Sequence, residues 1–128
     1  MIYLDTSVAL AYLLGESRRP TASFWAEQMV SSRLLEYEVW ARIHSYGLTR
    51  SHSEAATALL RRVHFLEMGS TVLSRVRDPF PTPLRTLDAL HLASALFVRR
   101  LGRDVAIASY DSDIVTAAKT MGFLLADV

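Results

Sequence analysis

No cysteine occurs in the sequence, which excludes disulfide scaffolds, zinc sites built on thiolates and cysteine nucleophiles, and fits a reducing compartment. Glycine and proline are sparse, 5 and 4 among 128 residues, and no repeat or low-complexity stretch interrupts the chain. No segment approaches the roughly 20 consecutive apolar residues that a membrane span requires. The first apolar run has no basic residues before it and is broken at Asp5, too early for a secretory signal. Charge of one sign is also missing: the formal net charge is +1, so any nucleic-acid footprint has to be local. With 51% hydrophobic and 21% charged residues, the chain is expected to form one compact domain over residues 1–128, soluble and cytoplasmic.

What is present is organised around Met1-Ile-Tyr-Leu-Asp-Thr-Ser7. Ile2, Tyr3 and Leu4 form a short apolar run, Asp5 ends it, and Thr6-Ser7 opens a helical pattern over residues 8–14. In an open α/β sheet, ligands bind beyond the carboxyl ends of the strands, so a carboxylate there is displayed where chemistry can occur. Asp is equally a favoured helix N-cap, and both readings of Asp5 stand at this point.

Further along, Gly15 to Arg19 carries helix-stop signals and Pro20 suits the first turn of a helix over residues 20–30, with Phe24, Trp25 and Met29 as its buried stripe. Residues 29–33 are a candidate second strand, followed by a helix over 34–46 that Gly47 closes. Ser51 or Ser53 is expected to cap a helix reaching about residue 66, before a short strand over 65–68. A short helix follows over 70–76. Asp78-Pro-Phe-Pro-Thr-Pro83 is kept out of regular structure by its prolines. Thr86 is the expected N-cap of the clearest helix, through residue 100 and ended by Gly102, whose Ala89, Ala93 and Ala95 permit close packing. Residues 105–108 read as a buried strand, 112–121 as a helix with Gly122 after it, and 123–126 as the last strand. Strands that are apolar on both faces and alternate with helices predict an α/β fold, with a mostly parallel sheet flanked by helices on both faces.

Acidic residues recur at one kind of place in this pattern. Asp111 follows its strand as Asp5 follows the first, and Asp88 sits in the first turn of the helix beginning at Thr86. In a parallel domain these positions gather at one sheet edge, although capping and the helix dipole explain Asp88 and Asp111 separately. Glu38 is different, because it shares a helical stripe with Leu34, Leu35 and Ala41. Glu36, about 200° away on the same helix, is also in apolar company, so periodicity does not choose between them.

Taken together, Tyr3-Leu-Asp5-Thr-Ser7, then Ser31-Ser-Arg-Leu-Leu-Glu-Tyr-Glu38, then Leu87-Asp88-Ala-Leu-His-Leu-Ala93, then Ala108-Ser-Tyr-Asp111 with Ala117-Ala118 and Gly122 resemble the PIN domain. Within it the likeness is to the small VapC-type toxins of bacterial and archaeal toxin–antitoxin pairs, and it spans the whole chain. The resemblance implies that Asp5, Glu38, Asp88 and Asp111 form an acidic site that is catalytic and binds metal. Asp113 matches an acidic position that only some members use. Thr6, Ser7 and Ser109 stand where the family has small hydroxyl residues supporting the carboxylates, and aligning Ser31-Ser32 selects Glu38 over Glu36.

The activity implied is a metal-dependent endoribonuclease acting on tRNA or ribosomal RNA, with a protein antitoxin and a second copy of the chain as partners. The residues are compatible with that chemistry. Crowded carboxylates repel one another unless a cation neutralises them, and an all-oxygen set suits Mg²⁺ or Mn²⁺. Arg85, beside the Asp88 motif, is the expected RNA contact, whereas Arg33, Arg42 and Arg50 read as a solvated face. His44, His52, His64 and His91 show no metal-ligand spacing; His91, one turn after Asp88, is within reach of the site but reads rather as a packed or partly exposed histidine. A stand-alone RNA-processing PIN protein, or an inactive RNA- or protein-binding one, is the alternative. An aspartyl-phosphate phosphatase fits less well, because Ser7 stands where such enzymes carry a second Asp.

Overall fold

The computed structural model describes residues 1–128. Five strands form a single sheet in the order β3-β2-β1-β4-β5, and every adjacent pair is parallel. They are β1 Ile2–Leu4, β2 Met29–Ser32, β3 Val63–Leu66, β4 Ala106–Ala108 and β5 Leu124–Leu125. Parallel neighbours require crossovers, which the helices supply: α1 Thr6–Leu13, α2 Leu34–Ser45, α3 Thr49–Leu60, α4 Ser70–Arg75, α5 Thr86–Arg100 and α6 Ser112–Thr120.

The period-2 alternation of a strand divides the core. Ile2 and Leu4 of β1 pack with Val8, Leu13, Leu35, Val39, Ile43 and Leu59 on the face covered by α1, α2 and α3. Tyr3, between them, points to the opposite face and packs with Leu92, Leu96, Ile107, Ile114 and Phe123 beneath α5 and α6. Helices therefore cover both faces, as expected. The alanines of α5 are buried and let it lie close to the sheet.

Strand order reverses at β1. The chain builds β2 and β3 on one side, then returns to place β4 and β5 on the other, so the helix starts that follow β1 and β4 face a common crevice at the carboxyl edge. Two links fasten that edge: the Asp5 backbone N–H donates to the Ala108 carbonyl at 3.0 Å, and the Ser31 hydroxyl donates to the Leu4 carbonyl at 2.7 Å.

Several boundaries differ from the sequence reading. Residues 20–30 contain no α-helix, only one 3₁₀ turn at Phe24–Ala26, because Met29 and Val30 are taken by pairing with Ile2 and Tyr3. Phe24 and Trp25 are nevertheless buried, in edge-to-face contact at 4.9 Å. The helix expected to reach residue 66 begins at Thr49, without a serine cap, and ends at Leu60. Residues 63–66 instead pair with 29–32, which sets β3 two residues earlier than expected. Thr86 is the first helical residue rather than the cap, and Arg85 occupies the cap position without a side-chain bond. The last strand is limited to Leu124–Leu125. Gly47 and Gly122 close their helices at φ +68° and +78°, where a side chain is disfavoured.

Candidate active site

The ends of β1 and β4 and the early turns of α2 and α5 deliver carboxylates to the crevice. Asp5 directly follows β1 and is buried. Asp111 caps α6 after β4, Asp88 lies in the first turn of α5, and Glu38 lies in the second turn of α2. The Ser32 hydroxyl accepts from the Leu34 N–H at 3.1 Å at the start of α2. Glu38, Asp88, Asp111 and Asp113 line one cleft of ≈ 480 Å³, together with Arg42, Arg85, Thr86 and Leu87. Asp5 sits below it. Glu36 is turned away and ion-paired with Arg33 at 3.1 Å.

The carboxylates share a pattern. In Asp5, Oδ2 takes every hydrogen bond: from the Ser7 hydroxyl at 2.5 Å, the Ser7 N–H at 3.3 Å and the Ser109 hydroxyl at 2.8 Å. In Glu38, Oε1 accepts from Thr6 Oγ1 at 2.7 Å and His91 Nε2 at 2.5 Å. In Asp111, Oδ1 accepts the N–H groups of Asp113 and Ile114 at 2.9 and 3.1 Å. The second oxygen of each makes no protein hydrogen bond. Capping and site formation therefore do not compete, because the cap occupies one oxygen and fixes the aim of the other. Asp88 has neither oxygen hydrogen-bonded within the protein.

Asp88 registers the crowding. Partial burial, followed by the negative charges of Asp111, Asp5 and Glu38, raises its pKa from 3.8 to about 6, against a smaller lowering by His91. A donor set of oxygens with unrelieved mutual repulsion fits a hard divalent cation. No three of the acidic or histidine side chains stand within ligating distance of one point. An ion held here would take only some carboxylates directly and keep waters in its other positions.

The sequence places His91 within reach of the site but favours a packed or partly exposed histidine. It is 2% exposed and lies between the carboxylates, with Nε2 2.5 Å from Glu38 and 3.9 Å from Asp5. Burial, the largest influence, disfavours its charged form, but the hydrogen bond to Glu38 and the charges of Asp5, Glu38 and Asp88 outweigh it and raise its pKa. Its position three residues after Asp88, on the same helical face, was the available signal.

Comparison with known proteins gives the family. The PIN domain family matches residues 2–120. Ribonuclease VapC46 of Mycobacterium tuberculosis is 33% identical, covering 94% of this chain and 92% of that protein. Ribonuclease VapC47 of the same organism is 29% identical, covering 98% and 96%. The chain belongs to the PIN-domain family, in its VapC group. Two solved structures share the PIN fold. One is M. tuberculosis VapC20, described as a sarcin–ricin loop cleaving toxin, with TM-score 0.68, 20% identity and full coverage of both chains. The other is a toxin–antitoxin complex from Klebsiella pneumoniae, with TM-score 0.63, 18% identity and coverage of 88% of this chain and 89% of that one.

The arginines of this PIN domain divide differently from the sequence reading. Arg85 lines the cleft, but so does Arg42, which lies one turn after Glu38 and donates to the Tyr46 hydroxyl at 3.1 Å. Arg42 is exposed, as a solvated face implies, and it also borders the cleft because i and i+4 share a helix face. Neither Arg42 nor Arg85 forms an ion pair with the carboxylates, whereas Arg33 is held by Glu36 and Glu67 at 3.1 and 2.9 Å. Arg50 lies on α3, outside the cleft.

Proposed function

We propose that this PIN-domain protein is the toxin of a type II toxin–antitoxin pair, an endoribonuclease that hydrolyses RNA phosphodiester bonds with Mg²⁺ or Mn²⁺. The observation that carries this reading is the set of carboxylates around one cleft, three of them with one oxygen fixed by the protein and the other left open. Among the open oxygens of Asp5, Glu38, Asp88 and Asp111, some would hold the ion directly and the others through its waters, with Asp113 at the rim. When bound, the ion supplies charge neutralisation and a water activated for in-line attack on phosphorus.

The residues of the chain perform the remaining work. Thr6, Ser7 and Ser109 fix the carboxylates through hydroxyl donors, so the site does not have to reorganise as charge develops. Arg85 and Arg42 offer guanidinium groups to the phosphates flanking the scissile bond, which positions the strand without reading its bases. A cleft closed on one side by helices suits a single-stranded segment of a structured RNA, such as a loop of tRNA or ribosomal RNA. The names of the VapC relatives support RNA as the substrate class.

The same reading assigns two protein partners. An antitoxin would cover the cleft and place a basic side chain among the carboxylates, and a second copy of the chain would complete a homodimer. Co-expression with the product of the adjacent gene should yield a stable complex with suppressed nuclease activity.

The purified protein should cut RNA with Mg²⁺ or Mn²⁺, lose activity on chelation, and release no phosphate from small phosphate esters. Asp5→Asn should abolish cleavage while the protein stays folded, because an amide oxygen still accepts from Ser7 and Ser109. Cleavage at the wild-type rate by that variant would refute the site.

A further inference from the structure

The deepest polar chain in the protein leaves the cleft and ends on the central strand. The Tyr3 hydroxyl is buried under α5, where it accepts the Ser32 N–H at 3.1 Å and lies 2.9 Å from His91 Nδ1. His91 Nε2 in turn reaches Glu38 Oε1 at 2.5 Å and Thr6 Oγ1 at 3.2 Å. These contacts join β1, the end of β2, α5, α1 and α2, across sequence separations of 88 residues for Tyr3–His91 and 53 for His91–Glu38.

Hydrogen-bond accounting fixes the direction of this chain. An ionised Glu38 can only accept, so the Nε2 that faces its Oε1 at 2.5 Å carries the proton of the neutral ring, while the Tyr3 oxygen, which takes the Ser32 N–H and keeps a proton and a second lone pair, meets Nδ1. A doubly protonated ring carries a proton on Nε2 as well. In either state an N–H is directed at Glu38 Oε1, so the contact does not depend on the charge of His91. Thr6 donates to the same oxygen at 2.7 Å, and Oε2 is left as the only oxygen of Glu38 free to face the cleft.

We propose that His91 is a positioning residue, anchored by Tyr3, that clamps one oxygen of Glu38 and thereby makes Glu38 a one-oxygen ligand aimed at the metal. The inference rests on the reading of Glu38 as a ligand. It adds a residue with no reaction to perform, which acts only through Glu38. Without the clamp, Glu38 samples several rotamers at the mouth of the cleft, and metal binding must then order it. Outer partners of metal-ligating carboxylates typically change affinity by roughly 10- to 100-fold when removed.

The test is Mn²⁺ affinity of the full chain without RNA, measured by titration calorimetry in a set of variants. His91→Asn offers Tyr3 a partner where Nδ1 stood but stops short of Glu38, and should weaken Mn²⁺ binding by roughly 10- to 100-fold. His91→Gln places an amide N–H where Nε2 stood and should bind within a few-fold of wild type. In a Glu38→Gln background, neither change should alter the affinity further, because a residue that acts through Glu38 has nothing left to position.

Equal affinities for the Asn and Gln variants would overturn the proposal. An Asn effect undiminished in the Glu38→Gln background would also overturn it, by showing that His91 acts independently; in both cases Glu38 stands as a ligand. Unchanged Mn²⁺ binding by Glu38→Gln alone would instead remove the ligand reading, and this inference with it. Should the Asn variant not fold, the Gln variant decides, and tenfold weaker binding by a folded Gln variant counts against the clamp.

Discussion

Ser109 donates its hydroxyl to Asp5 Oδ2 at 2.8 Å while accepting the Asp111 N–H at 3.0 Å, so a single side chain couples the acidic groups after β1 and β4. Because Ser109 is buried, water cannot replace it without rearrangement. Ser109→Ala leaves Asp5 with fewer donors and the Asp111 N–H without its partner. The expected result is a loss of about 1–3 kcal/mol in stability and a fall of roughly tenfold or more in cleavage rate. Thermal melts and single-turnover cleavage check the two effects, and a wild-type rate would show that Asp5 needs no such support.

The pKa of Asp88 gives a pH prediction whose sign is fixed. An unfolded Asp titrates near 3.8 and the folded one near 6, so the folded protein holds this proton more tightly. Its contribution to stability is full below 3.8 and is lost as pH rises through about 6. Without metal, Asp88→Asn should therefore melt higher than wild type at pH 8, and the two should converge near pH 4. Asp88 is only partly buried, so solvent screening limits the gain to the order of a few degrees. Cleavage by the wild type should fall as pH drops below about 6, as the proton competes with metal, and the Asn variant should be inactive throughout. Parallel melting curves across this range would contradict the repulsion.

Glu36 and Glu38 provide an internal control. Glu38 lines the cleft and Glu36 pairs with Arg33. Glu38→Gln should reduce cleavage by orders of magnitude, whereas Glu36→Gln should leave it within a few-fold and cost roughly 0–1 kcal/mol of stability, as for an exposed ion pair. The reverse ranking in a cleavage assay would place the wrong glutamate at the reaction.

Arg42 and Arg85 should act on binding rather than on chemistry. Replacing either by Ala is expected to raise KM several-fold, with a smaller change in kcat. The log–log salt dependence of RNA binding should become shallower by about 0.7 for each single-strand phosphate that the variant no longer neutralises. Unchanged salt slopes for both variants would remove them from the RNA path.

Much of this protein can be read along the chain. Alternating apolar runs and helical patterns specify the α/β class because strands buried on both faces and crossover helices carry different periodicities. The positions of Asp5, Asp88 and Asp111 follow from the same signals, since each sits where a helix begins. What periodicity could not supply is partnership between distant segments. Met29 and Val30, where an expected helix overlapped the expected second strand, belong to the strand, and Val63 and His64 leave a helix, because the edges of β1 and β2 require hydrogen-bond partners. The rotation of α2, which puts Glu38 and Arg42 into the cleft and Glu36 outside it, is set by Leu35, Val39 and Ile43 packing on the sheet. The place of His91 depends on α5 packing over β2, beside β1, where Tyr3 projects from the same face of the sheet and meets it. A local pattern identifies which residues share an element, whereas the order and register of the sheet decide which elements meet, and at this crevice the meeting makes the site.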